Sequence, residues 1–204
     1  METEELEGFE KEPESMQKLI RAALALTKMQ LTYVFASHEP KLGGMDCSGT
    51  IYHLLRAAGH SDTPRQSDEI CGWVQEKSAL HRVDKADSLE HDEFADLKVG
   101  DLLFWSGTYE ATKRKIPVTH VMLYLGKHKK TGKPIIFGAS DGRSYEGQKR
   151  TGVSIFNLVL PKAGGKTSFY GYGRIPEIPK VTTSPKASQR AAKRRVRPQG
   201  SKGD

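Results

Sequence analysis

The sequence predicts an α+β fold in which helices come first and an antiparallel sheet follows. Apolar residues recur at helical spacing at Leu19, Ile20, Ala23, Leu24 and Leu26, and again at Ile51, Tyr52, Leu54, Leu55 and Ala58. From Val99 onward the pattern changes to short β-branched and aromatic runs separated by glycine and charged turns. Helical segments followed by a meander of strands are the α+β order.

Residues 1–15 hold seven acids and one lysine. Residues 1–14 are accordingly expected to be a disordered acidic N-terminus. Ser15 is the expected cap of a helix running from Met16 to about Met29. Leu31 to Phe35 is β-prone but short, and a polar loop leads from it to Gly43-Gly44. The second helix stops at Gly59, a residue suited to the left-handed turn after a helix. Ser67 is the expected cap of a shorter helix, Asp68 to Glu76, and residues 77–98 read as charged and irregular. Strands are expected at Leu102–Trp105, Val118–Leu125, Ile135–Ser140, Val153–Leu158 and Phe169–Arg174. A hairpin loop is expected over Lys127–Lys133 and a polar loop over Gly142–Gly152. From 177 to 204 the chain is rich in Pro, Ser, Lys and Arg, and a disordered basic tail is expected. One domain, 15–176, lies between the tails.

The chain has 204 residues, and at 22.7 kDa it suits one domain with extensions. No apolar run approaches the ~18 residues of a membrane span. The opening METEELEGFEKEPES lacks the basic and then apolar pattern of a signal peptide. The net charge of +7 favours anionic partners, although solubility alone would also account for it. Two cysteines, Cys47 and Cys71, make neither a disulfide framework nor a zinc set. No metal and no cofactor is expected.

The stretch Gly43–Gly59, GGMDCSGTIYHLLRAAG, places Cys47 at the start of a buried helix. Helix N-termini favour thiolate over thiol, which makes Cys47 a candidate nucleophile. Such a nucleophile needs a histidine base. Of seven histidines, His120 alone sits inside an apolar, strand-like run. Taken by themselves, both residues also read as ordinary core positions, a small buried thiol and a satisfied strand imidazole.

The order of motifs adds to this reading. Tyr33 is followed by Gly43-Gly44 and then by Asp46-Cys47-Ser48-Gly49. Pro64-Arg65-Gln66-Ser67 comes next, then Gly100-Asp101-Leu102 leading to Phe104-Trp105. His120-Val121 through Tyr124-Leu125-Gly126, and a closing Tyr172-Gly173-Arg174-Ile175, complete the series. In these motifs, spread over about residues 16–176, the chain resembles the NlpC-type cell-wall cysteine peptidases. The resemblance implies a papain-like, circularly rearranged fold, with N-terminal helices packed on an antiparallel sheet or open barrel. It implies a peptidoglycan hydrolase cutting stem peptides, at the bond between γ-linked D-glutamate and the diamino acid. Cys47 would be the nucleophile and His120 the general base. Tyr33 would stabilise the oxyanion with the Cys47 N–H, and Asp46 and Ser48 would hold the free amino end of the substrate. The family's third catalytic residue, a histidine before alanine, is replaced here by Gly138 before Ala139. Ser140, two residues on along the same strand face, is the candidate for that role.

The expected partners are peptidoglycan stem peptides, with anionic polymer contact through the basic tail, no specific nucleic acid, and a monomeric state. The substrate implies an extracytoplasmic location. Two alternatives stay open: a catalytically weak or degenerate wall-binding module, suggested by Gly138 and the charge, and a Cys–His amidase acting on a non-wall amide.

Overall fold

A computed structural model describes residues 1–111 and 114–177. The expected basic tail, apart from Glu177, lies outside the described residues.

Among the described residues, three α-helices and a six-stranded antiparallel sheet make up the fold. The helices are α1 (Glu14–Thr27), α2 (Cys47–Ala57) and α3 (Ser67–Lys77). A short parallel pair, β1 (Thr32–Tyr33) and β2 (Gly44–Met45), precedes α2. The main sheet is built from β3 (Leu80–Arg82), β4 (Leu102–Ser106), β5 (Val118–Lys127), β6 (Pro134–Tyr145), β7 (Gln148–Asn157) and β8 (Ser168–Gly173). Its order is β3-β8-β4-β5-β6-β7, so the meander β4 to β7 is flanked by β8, which returns to pair with β4.

Strand alternation gives the sheet two apolar faces. Phe104, Val121, Leu123, Phe137 and Ile155 share one core with Leu19, Ile20 and Ala23 of α1, Ile51, Leu54 and Leu55 of α2, and Ile70 and Val74 of α3. The opposite face presents Leu103, Trp105, Met122, Tyr124, Ile136 and Phe156, covered by Val83 and Phe94. Cover on both sides explains why β5 reads as a continuous apolar run rather than an alternating one. The segment expected to be irregular therefore supplies an edge strand and a lid of core residues.

The helix ends differ in detail from expectation. α1 begins at Glu14 after Pro13, without a side-chain cap from Ser15. Gln66, not Ser67, caps α3, through a reciprocal pairing with Glu69. α2 ends as expected: Gly59, at φ +99°, allows His60 N–H to reach Leu55 C=O at 3.0 Å.

Two expectations are corrected. Residues 1–14 are not a disordered extension. Leu6 and Phe9 are buried in the main core, Glu7 N–H donates to Lys127 C=O at 2.9 Å, and Lys129 N–H donates to Glu5 C=O at 2.7 Å. Two apolar anchors and a strip of backbone bonds to the β5–β6 hairpin offset the acidic composition. The polar loop expected over 142–152 is instead the outer half of a long β6–β7 ribbon. It turns at Glu146-Gly147, both at positive φ, with a bulge between Asp141 and Arg143.

Candidate active site

Cys47 is the first residue of α2, and its surroundings follow from the residue before it. The Asp46 carboxylate accepts from Gly49 N–H at 2.6 Å, capping the helix. The same carboxylate pairs with both guanidinium nitrogens of Arg65, at 2.9 and 3.1 Å. Arg65 also donates to Ser48 Oγ at 2.9 Å and to Ser37 C=O at 3.0 Å. Gly49 is required by this crowding, because a Cβ there would collide with the Ser37 carbonyl. Asp46 and Ser48 are therefore brought beside Cys47, but their polar atoms are bound within the fold. Arg65, from the Pro64-Arg65-Gln66-Ser67 motif, ties the network together.

Tyr33 reaches the same point through the β1–β2 pair, in which Tyr33 lies level with Met45. Its hydroxyl lies close enough to the Cys47 thiol and backbone N–H for each side chain to shift the titration of the other. The Val121 N–H of β5 also points at the sulfur. That contact sets Cys47 against the residue next to His120. The β5–β6 ladder runs from Lys127↔Pro134 to Leu123↔Phe137 and does not continue towards His120, so a cleft opens where the two strands part.

The cleft has a volume of about 520 Å³ and is lined by Tyr33, Tyr109, His120, Ser140, Asp141 and Arg143, among others. Phe35 and Tyr109 meet edge-on at its rim, 6.4 Å between ring centroids. His120 packs edge-to-face on Trp105 at 5.7 Å.

Burial dominates the electrostatics. It pushes the Cys47 thiol up, and the Asp46 charge pushes the same way, against the lowering donors Val121 N–H, Ser48 N–H and Tyr33 O–H. The helix N-terminus alone would have favoured thiolate. His120 is driven down to about 3, first by burial and then by the Arg143 charge. The resting pair is thus neutral thiol and neutral imidazole. Among the described residues His120 Nε2 is buried without a hydrogen-bond partner. Ser140 is buried beside it in the cleft lining, but no hydrogen bond joins them. Gly138, at the expected third position, faces Met122.

Both cysteines are free, and Cys71 is buried in the helix-side core, where burial raises its thiol to about 12. Among the described residues no group of three His, Cys, Asp or Glu side chains is placed to hold a metal ion. Arg143 and Tyr109 were not found from sequence. Arg143 fell in the presumed loop, although Glu146-Gly147 between two polar runs was the available hairpin signal.

No curated protein shows a significant sequence match to the chain. A family model described as the NlpC/P60 family matches residues 30–147, from just before Tyr33 to the turn of the β6–β7 ribbon. The match takes in Cys47, His120 and the whole lining of the nucleophile, and covers more than half of the chain, which therefore belongs to the NlpC/P60 family, in general cysteine peptidases and amidases acting on peptidoglycan.

Proposed function

We propose that the protein is a peptidoglycan hydrolase, a papain-like cysteine endopeptidase that cuts stem peptides at the γ-D-glutamyl–diamino acid bond. The observation that carries this reading is the convergence on one sulfur: Cys47 opens α2 with the Tyr33 hydroxyl at its thiol and N–H, beside the strand residue that follows His120. The placement of the cysteine helix before the histidine strand supports a papain-like core.

His120 takes the thiol proton as the sulfur attacks the scissile carbonyl carbon. The oxyanion is held by the Cys47 N–H and the Tyr33 O–H, which face each other in the free protein. His120 then gives its proton to the leaving amine. Water, activated by the same imidazole, hydrolyses the thioester and frees the thiol. Such a substrate lies outside the cytoplasm, so the protein acts in the envelope or beyond it, as a monomer.

The test is cleavage of purified stem peptides followed by mass. Loss of turnover in Cys47→Ala and His120→Ala is expected, and unchanged cleavage by Cys47→Ala sinks the reading. A second reading, wall binding with little turnover, draws on the unpartnered Nε2 of His120 and on Gly138. It expects wall binding that Cys47→Ser leaves unaltered, without released peptides.

A further inference from the structure

Arg143 stands apart from the other arginines around the sheet and helices. Arg65, Arg82, Arg114 and Arg174 each lie within 4 Å of a carboxylate, at Asp46, Asp84, Asp68 and Asp101. Arg21, Arg56 and Arg150, without a carboxylate, donate to an oxygen of Thr3, Ser61 and Ser154 respectively. Arg143 has no such partner among the described residues, and no side-chain hydrogen bond. The nearest acid in the cleft lining, Asp141, accepts from the Thr151 hydroxyl at 3.4 Å and forms no ion pair. Yet Arg143 is half-buried, its guanidinium carbon lying 4.6 Å from the centroid of the Trp105 ring. A guanidinium removed from much of its water and left unpaired is costly unless a ligand completes it.

The geometry also fixes where such a ligand would sit. Trp105 is the residue against which His120 packs, so the indole carries the cation on one side and the imidazole on another. The charge is felt at both reacting groups: it helps to depress His120, and it is favoured by a Cys47 thiolate. Stacking on the indole holds the guanidinium plane and leaves its nitrogen fork to grip a planar anion in two places. Tyr109, in the same lining, accepts from Arg114 through its oxygen and keeps its hydroxyl proton to offer.

We propose that Arg143, seated on Trp105, is the receptor for a substrate carboxylate close to the scissile carbonyl, so that the chain selects peptides with a free acid beside the bond it cuts. This rests on the peptidase reading of the same cleft. A γ-linked glutamyl residue supplies such a group, because linkage through the side chain leaves its α-carboxylate free. A bound carboxylate would also offset the charge that, after burial, suppresses protonation of His120.

The test compares two synthetic peptides, L-alanyl-γ-D-glutamyl-diaminopimelate and the same peptide with the glutamyl α-carboxylate converted to carboxamide. Binding to the full chain carrying Cys47→Ala is measured by calorimetry, and kcat/KM is measured on the unsubstituted chain. The carboxylate peptide is expected to bind about 10- to 100-fold more tightly, the range of a charge-assisted pair. Arg143→Gln should erase that preference by weakening the carboxylate peptide alone, and Arg143→Lys should keep part of it. Equal binding of the two peptides, binding of neither, or a preference that survives in Arg143→Gln with an unchanged thermal midpoint overturns the proposal. A preference in binding without cleavage by the unsubstituted chain upholds the receptor and removes the peptidase reading instead.

Discussion

The indole of Trp105 and the imidazole of His120 meet edge-to-face across the β4–β5 pair, and each buries a ring nitrogen that no protein group among the described residues bonds. The consequence for stability is a pH dependence. In the unfolded chain His120 takes up its proton near its ordinary value of 6.5; in the fold it does so only at about 3. Between those values the unfolded state binds more protons, so stability is full above about 6.5 and declines as pH falls towards 3. Lowering pH from 7 to 5 should cost about 2 kcal/mol from this group. Urea unfolding at the two pH values should show a smaller loss in His120→Gln than in the unsubstituted chain. Equal losses would mean that the imidazole is not held neutral.

The thiol makes a second prediction. Burial and the Asp46 charge hold Cys47 above its ordinary range, so alkylation at pH 7 should be slow. Its rate should keep climbing above pH 9, read by mass spectrometry of the peptide that carries Cys47. A plateau reached near neutrality would reveal a stabilised thiolate that the resting geometry does not provide.

Asp46 does several jobs with one carboxylate: it caps α2 and accepts both arms of Arg65. Asp46→Ala removes the cap and strands the guanidinium, and should destabilise the fold by about 2 to 4 kcal/mol. Arg65→Lys should cost less, because one of the paired bonds survives. Denaturant midpoints at constant slope measure both.

The N-terminal strip is a fourth case. Leu6 is 2% exposed, and Leu6→Ala should cost about 2 to 4 kcal/mol. Removing residues 1–12 should lower the thermal midpoint by several degrees or more, whereas a dangling extension would leave it unchanged.

These cases show what the amino-acid sequence displayed and what it hid. α1 and α2 were legible because burial of one face imposes a regular apolar period on them, and the inner parts of β4, β5 and β6 because cover on both faces makes them continuous β-prone apolar runs. Leu6 and Phe9 were not, because two anchors in an acidic run carry no period and gain their meaning from a hairpin over 100 residues away. The outer β6–β7 ribbon was hidden for the opposite reason. Its ladder is made by backbone groups, and its solvent-facing side chains can be polar throughout. At the site, Cys47, Tyr33 and His120 were legible from the order of motifs. Arg143 was not, since its place depends on a bulge and on an indole contributed by another strand.

The β1–β2 pair has a mechanical consequence. Thr32 N–H is tied to Gly43 C=O at 2.9 Å and Val34 N–H to Met45 C=O at 3.3 Å, on either side of Tyr33. The excursion between them, residues 35–42, carries Phe35 at the cleft mouth with 74% of its surface exposed. Both ends of that excursion are stapled to the segment that bears the thiol. Within the excursion the buried Ser37 accepts from Asp46 N–H at 3.1 Å and from Arg65 at 3.0 Å, and donates to Gly44 C=O at 2.7 Å, so the mouth, the hydroxyl and the sulfur are held together as one rigid jaw.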